Sequence, residues 1–470
     1  MTATATTRRY TDLAIADPDD LLYGSCPHPV TTRGGLTIGG GAVYPELNFT
    51  LPDVDVSHDT LDVVKQHYRG IIDDATKRAV ELELDGLVVE YETVPPMTEF
   101  RDIAMAVVDI LLDGLSKARD QHGLKSALRM TPNDNREFIR PPRLRSGRYW
   151  DAMLELFDRS AAAGADFLSI ESVGGKEVHD ESLQMCDLEQ TLFALCVLGV
   201  RDMRFLWSHI VEIAQKHGVH AAGDTACGFG NTAMVLAEQK MIPRVFAAVD
   251  RAVTTVRTLV AHECGAVGPG KDCGYENIFL KAITGCPMSN EGKSATCAHA
   301  SPVGNIAAAA CDLWSNESVQ HIKLLGGMAP TCSLETLTYD ARLMNEAAAD
   351  GDDAKRQLQR WLCRSDASRD PQAFILRPDV AIRIARSIVD ADDPYLAGVA
   401  AARTTLDELA RGVEAGELRL SDRESPWVDT LRGQIETLPG SADELIAQQA
   451  PLIDASKCDL TQYDLEPVAA

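Results

Sequence analysis

Between residues 61 and 267 the chain repeats one local pattern, and that pattern limits the fold more than any other feature of its 470 residues. A stretch with apolar residues every three or four positions is followed by a short apolar run. "LDVVKQHYRGIIDDATKRAVELEL" precedes "DGLVVEYET", "FRDIAMAVVDILLDGLSKARDQHG" precedes "KSALRMT", and "RYWDAMLELFDRSAAAGA" leads into "DFLSIES". "RFLWSHIVEIAQKHGV" then runs into "HAAGDTAC", and "RVFAAVDRAVTTVRTLVAHECGAV" precedes "GPGKDCGYEN". The longer stretches have the period of an amphipathic helix, and the short runs read as strands. Such alternation makes an α/β fold, with a parallel sheet and helices outside it, as an open doubly wound sheet or a (β/α)8 barrel. The dinucleotide-binding open sheet carries G-x-G-x-x-G after its first strand. None stands there, so the sequence predicts the TIM-type (β/α)8 barrel.

Residues 1–60 contain turn-rich patches such as "TTRGGLTIGGGAVYPELN" without a sustained period, and are expected to form an N-terminal extension packing on the barrel. The barrel itself is expected over residues 61–340. In residues 341–470 the strand signals stop and helical patterns dominate. "DVAIRIARSIV" places Val380, Ile384 and Ile388 on one stripe, so additional C-terminal helices are expected.

Charge narrows the partners. With 45 Lys and Arg against 70 Asp and Glu the net charge is -25, which repels nucleic acid and anionic membrane surfaces. The N-terminus has no apolar core of a signal peptide, and no run of eighteen apolar residues occurs downstream, so a cytoplasmic protein is expected. The 12 cysteines never form C-x-x-C and do not resemble the framework of a small secreted domain. In a reducing compartment they are thiols, packing residues or metal ligands.

"GAVGPGKDCGYEN" nearly spells a phosphate-binding loop. Gly265, Gly270 and Lys271 fit G-x-x-x-x-G-K, but Asp272 stands where a hydroxyl must ligate magnesium, and its carboxylate would repel phosphate. The same stretch offers Cys273 between glycines. Glu171 in "LSIESVGGKEV" and Cys227 in "AAGDTACGFGNTAM" occupy comparable places, each after an expected strand. In a barrel the strand ends share one face, where the active site lies, so these three distant residues can converge. Three protein ligands with a fourth position open is the pattern of a catalytic zinc.

Other histidines and cysteines read differently. His262, Glu263 and Cys264, and Cys297 with His299, lack the usual ligand spacings and are assigned to packing or to positions behind the ligands. His217 and His220 read as a helix exit, and Lys176, Glu177 and His179 as a loop and helix start. Glu90 and Glu92, at the end of an early strand, have two open readings: an acidic site mouth that relays a proton, or solvated strand-end charges.

The strings "SIESVGGKEV", "AAGDTACGFGNTAM", "AVGPGKDCGYENIFLKAITGCPM", "EGKSATCAH", "CDLWSNESV" and "SRDPQAF" together resemble the methanol:corrinoid methyltransferase family, the zinc-containing subunit of methanol-specific methyl transfer. The likeness runs over nearly the whole chain and is densest over residues 165–340. It implies a TIM barrel with added helices, a Zn2+ ion, and the transfer of the methyl group of methanol to the Co(I) corrinoid of a partner corrinoid-binding protein. The family's zinc ligands fall on Glu171, Cys227 and Cys273. The resemblance also implies a hetero-oligomer, with a homodimer as a further assembly. The cobalt-ligating D-x-H-x-x-G signature is missing, so the corrinoid is expected on the partner and not on this chain. Two rival readings are the same chemistry on another small methyl donor, such as a methoxylated compound, and a corrinoid-protein docking scaffold without chemistry.

Overall fold

The computed structural model describes residues 9–48, 54–294, 299–317 and 323–466. Seven strands form one sheet: β1 (Tyr44–Asn48), β2 (Gly86–Glu92), β3 (Lys125–Thr131), β4 (Phe167–Ile170), β5 (His220–Asp224), β6 (Ser289–Glu291) and β7 (Leu313–Ser315). Their order is β5-β4-β3-β2-β1-β7-β6, with all neighbours parallel. The two edges are joined by residues 267–270. Val267 donates its N–H to Ala221 O on β5 at 2.8 Å, Gly270 donates to Pro287 O at 3.1 Å, and Ser289 donates to Gly270 O at 3.3 Å. This segment is the eighth stave. It makes a ragged ladder because Pro269 has no N–H to donate and Gly268 has φ +81°.

Outside the staves lie α1 (Leu61–Glu81), α2 (Arg101–His122), α3 (Arg148–Ala163), α4 (Val200–His217), α5 (Arg244–Cys264) and α6 (Ala329–Ala349). The first five stand where the apolar period predicts them. Glycine ends most of these: Gly123 and Gly218 adopt the left-handed conformation after α2 and α4, as does Gly265 after α5.

Two expected boundaries move. The first barrel strand, β1, lies inside residues 1–60, because its sequence "YPELN" is short and carries a proline that weakens any strand signal. Helix α6 runs through residue 340 and belongs to the barrel wall. Its Glu335 pairs with Arg78 on α1 at 2.8 Å, and its Asn345 exchanges hydrogen bonds with the backbone of Val43 at 2.8 and 2.9 Å.

The rest of the N-terminal extension plugs one end of the barrel. An antiparallel hairpin, Ser25–Thr31 with Thr37–Gly40, buries Val30 and Ile38, and with them Leu36 of its turn, against Val88, Ala127, Phe167, Ala222 and Leu313 of the staves. Each such apolar side chain contributes roughly 1.5–3 kcal/mol. The amino ends of the strands are thereby closed, and the carboxyl ends stay open. Midway down the barrel, Arg129 of β3 ties the staves together. It donates to Glu46 Oε1 of β1 at 2.6 Å, to Ser169 Oγ of β4 at 2.8 Å and to Pro269 O at 2.8 Å.

Helix Pro394–Glu414 packs on α5, and helix Pro378–Val389 packs on Pro394–Glu414 and on helix Asn277–Thr284. Val380, Ile384 and Ile388 are buried there, so the expected stripe is consumed within the chain. Among the described residues, no helix is long and apolar enough to cross a membrane.

Candidate metal centre

Each member of the sequence-derived triad sits just past a stave. Glu171 is the residue after β4, Cys227 lies three residues beyond β5, and Cys273 follows the eighth stave. The carboxylate oxygen and two sulfurs all lie within 4.8 Å of one another. The Cys273 thiol donates to Glu171 Oε1 at 2.7 Å. Cys273 is buried, while Glu171 and Cys227 are half-buried toward the open end.

Asp224, the last residue of β5, sets the loops that carry Glu171 and Cys227. Its Oδ1 accepts the N–H groups of Ser172 at 3.2 Å and Thr225 at 2.8 Å. Its Oδ2 accepts Ser172 Oγ at 2.7 Å and Trp207 Nε1 at 2.8 Å. The residue after Glu171 is thus bonded to the root of the Cys227 loop. Burial lifts the Asp224 carboxyl to about 6, against the pull of Arg257, Trp207 and Ser172.

Gly270 and Gly274 stand on either side of Cys273. Neither has a positive φ. Space excludes a side chain instead: an added Cβ at Gly274 would lie 2.6 Å from Thr225 Oγ1, and one at Gly270 2.7 Å from Met288 Sδ.

Lys271 is wholly buried and points into the site. Its Nζ lies 2.5 Å from Asp272 Oδ1, 3.1 Å from Glu90 Oε1, 3.3 Å from Glu171 Oε1 and 3.6 Å from Glu92 Oε2. Lys271 and Asp272 form an ion pair. Burial is the largest influence and works against both charges, but the surrounding groups together outweigh it: Asp272, Cys273, Glu90 and Glu92 raise the lysine far above its usual range, and Lys271, Ser315 and Arg129 lower the aspartic acid to about 2.

Glu90 and Glu92 part company. Glu90 is fully buried, accepts Thr131 Oγ1 at 2.6 Å, and is pushed up strongly by burial and then by Asp272. Glu92 has a side chain 25% exposed and lines a cavity of about 130 Å3 with Glu171, Thr131, Asn133, Ser172 and Lys176. Burial raises its carboxyl to about 7, opposed by Lys271 and aided by Glu171. A larger hollow of about 200 Å3 lies outside the barrel between α5 and the C-terminal layer, away from the triad.

The remaining sequence assignments can be placed. His262 is buried, bonded through Nδ1 to Ala266 O at 3.2 Å, and held near 4 by burial, so it packs as a neutral ring. Cys264 has its sulfur 3.8 Å from Arg204 O, on the outer face of α5. His217 pairs with Asp158 at 2.8 Å at the end of α4, whereas His220 begins β5. Lys176 and His179 lie on helix Lys176–Met185, the first paired with Asp180 at 2.5 Å and the second with Asp250 at 2.8 Å. His299 pairs with Glu317 at 3.0 Å, and these two with Glu291 at the end of β6 form a second group within ligand distance. Cys297 lies outside the described residues. Sequence reasoning missed Glu291, Asn231, Arg251 and Glu276, which no spacing rule connects to the triad.

Two sulfurs and one carboxylate oxygen are donors suited to zinc, and the loops already hold them close together. Burial and the neighbouring Cys227 and Glu171 push the Cys273 thiol far up. The Cys227 thiol stands at about 11, lowered by its hydrogen bond with Cys273 but raised more by burial and Glu171. A cation among them removes that mutual penalty.

The fold and site define a TIM-type barrel protein whose strand-end face carries a two-cysteine, one-glutamate donor set beside a small acidic cavity. The chain belongs to the methanol-cobalamin methyltransferase B subunit family, MtaB, whose family model matches residues 7–464. It is 39% identical over 447 residues to a methanol-corrinoid protein co-methyltransferase of Methanosarcina barkeri, covering 93% of this chain and 95% of that one. In structure it resembles a chain of the methanol:cobalamin methyltransferase complex MtaBC from Methanosarcina barkeri, with a TM-score of 0.93 and 36% identity. That match covers 97% of this chain and 100% of the other.

Proposed function

We propose that this chain transfers the methyl group of methanol to the Co(I) corrinoid of a partner subunit, with Glu171, Cys227 and Cys273 holding zinc. The observation that carries the reading is the convergence of these three donors at the open end of the barrel. The full-length likeness to a methanol-corrinoid protein co-methyltransferase supports the donor and the acceptor. The likeness to a chain of the MtaBC complex supports a hetero-oligomer with a corrinoid-binding protein.

Bound there, zinc supplies Lewis acidity toward the methanol oxygen, which hydroxide's poor leaving ability demands. The chain's own groups do the rest. The cavity over Glu171 and Glu92 admits a molecule of two heavy atoms and opens toward the strand ends, where a corrinoid on another protein can approach. The reaction breaks the methyl C–O bond, forms a methyl–cobalt bond on the partner, and releases the oxygen as water after it takes up one proton. Glu92 is the group placed to deliver that proton, since it reaches the cavity and holds its proton near neutral pH. Glu90 is committed to Thr131 and Lys271 and acts as a fixed neighbour.

The test is methyl transfer from methanol to a reduced corrinoid protein by the purified chain, with metal analysis of the same sample. One zinc per chain and methanol-dependent formation of methylcobalt absorbance are expected. Zinc-free chain of equal activity would overturn the reading.

A further inference from the structure

The two thiol loops are locked to each other by a reciprocal pair of side chains. Asn231, at the end of the turn Cys227–Asn231, donates from Nδ2 to Cys227 Sγ at 3.4 Å and to Cys273 O at 2.9 Å. Glu276, just beyond Cys273, accepts the N–H of Ala226 at 2.6 Å, one residue before Cys227. Each loop therefore sends one side chain onto the backbone of the other. Arg251, on α5, holds both: its Nη2 donates to Asn231 Oδ1 at 2.6 Å and its Nη1 to Glu276 Oε2 at 3.4 Å. All three side chains are buried. Glycine at 230 makes the approach possible, since an added Cβ there would lie 2.8 Å from Arg251 Nη1.

The hydrogen-bond inventory orients the amide. A guanidinium only donates, so Asn231 must turn its oxygen toward Arg251. Both amide hydrogens then face Cys227 sulfur and the Cys273 carbonyl. One side chain thus touches one proposed ligand directly and fixes the backbone of the other. In a buried network such bonds keep most of their strength, and an unpaired member is costly.

We propose that Asn231, oriented by Arg251, is a positioning residue of the metal centre. It sets the separation of the two sulfurs and donates a hydrogen bond to the Cys227 sulfur, and so governs metal affinity and the electron density on that thiolate. The inference rests on Glu171, Cys227 and Cys273 being the zinc ligands.

The test compares the parent chain with Asn231→Leu, which keeps the approximate volume without the amide, and with Arg251→Met, which frees the amide and leaves both thiols in place. Zinc affinity is read by competition with a chromophoric chelator. The thiolate-to-metal charge-transfer band is read on the cobalt(II)-substituted chains. Loss of an outer partner typically weakens metal binding about 10- to 100-fold, and Asn231→Leu is expected in that range, with Arg251→Met weaker than the parent by less. The cobalt band of Asn231→Leu is expected at lower energy, because the sulfur lone pair loses its N–H donor. Zinc affinity within about twofold of the parent, against that range, or a cobalt band that does not move, overturns the proposal. If circular dichroism shows Asn231→Leu unfolded, Arg251→Met decides alone, and unchanged affinity there overturns it. A parent chain that binds no zinc defeats the ligand reading instead, a different result from a parent and variant that bind it equally.

Discussion

Cys273 and Glu171, 102 residues apart in sequence, meet through a thiol-to-carboxylate hydrogen bond of 2.7 Å. The contact joins the loop after the eighth stave to the loop after β4 across the open end of the barrel. Both residues belong to the three-donor group, which makes this pair the most direct place to test the site.

Cys273→Ser should lose zinc and methyl transfer together while the barrel stays folded. Serine is nearly isosteric, but its hydroxyl remains protonated near neutral pH and is a poor ligand for zinc. The affinity loss should exceed the roughly 10- to 100-fold typical of an outer partner. Cys264→Ser and Cys286→Ser should keep one zinc per chain, because neither sulfur lies in the triad. Metal analysis with circular dichroism on the three variants checks this.

Methyl transfer should fall as pH rises through about 7, the value to which burial lifts Glu92. The sign follows from its role: the group delivers a proton only while protonated, below its pKa. Glu92→Gln should abolish that limb of the profile and lower the rate by about 10²–10⁴-fold, the usual contribution of a positioned acid. Glu90→Gln should leave the limb in place, because Glu90 does not line the cavity. Initial rates across a pH series decide it, and an unchanged profile in Glu92→Gln would remove this residue from proton delivery.

Trp207→Phe should destabilise the fold by about 1.5–3 kcal/mol, the range for a hydrogen bond to a charged group. The indole N–H donates to Asp224 Oδ2 at 2.8 Å. Asp224 is raised to about 6, so its carboxylate form, which gains most from that donor, prevails only above this value. The penalty should therefore be larger at about pH 8 than at about pH 5. Urea unfolding of both chains at the two pH values gives the comparison.

Arg129→Met should cost about 3–5 kcal/mol, because it strands the buried Glu46 carboxylate without its partner. The guanidinium bonds β1, β4 and residue 269 from inside the barrel, all out of solvent. Equilibrium unfolding reads the loss, and a variant as stable as the parent would show that Ser289, which also bonds Glu46, suffices.

The barrel was legible in the amino-acid pattern, because helix and strand periods are local and repeat in "LDVVKQHYRGII", "GLVVEYE" and their successors. The sequence also marked Glu171 and Cys227, which stand just past apolar runs, and Cys273, which sits in a glycine-rich loop, since strand ends share a face. Tertiary structure alone decided the rest. Tyr44–Asn48 is a stave only because β2 and β7 offer it hydrogen bonds on both sides, which its five residues and proline do not announce. Residues 267–270 close the barrel through single bonds to Ala221 and Pro287, with no strand pattern of their own. Glu90 and Glu92 look alike in sequence, and separate only because one meets Thr131 and Lys271 while the other reaches the cavity. The lock formed by Asn231, Arg251 and Glu276 likewise depends on side chains from three elements meeting at hydrogen-bond distance. Periodicity reports which face of a segment is buried; it carries no information about which distant polar group waits there, and that is settled only when the loops converge.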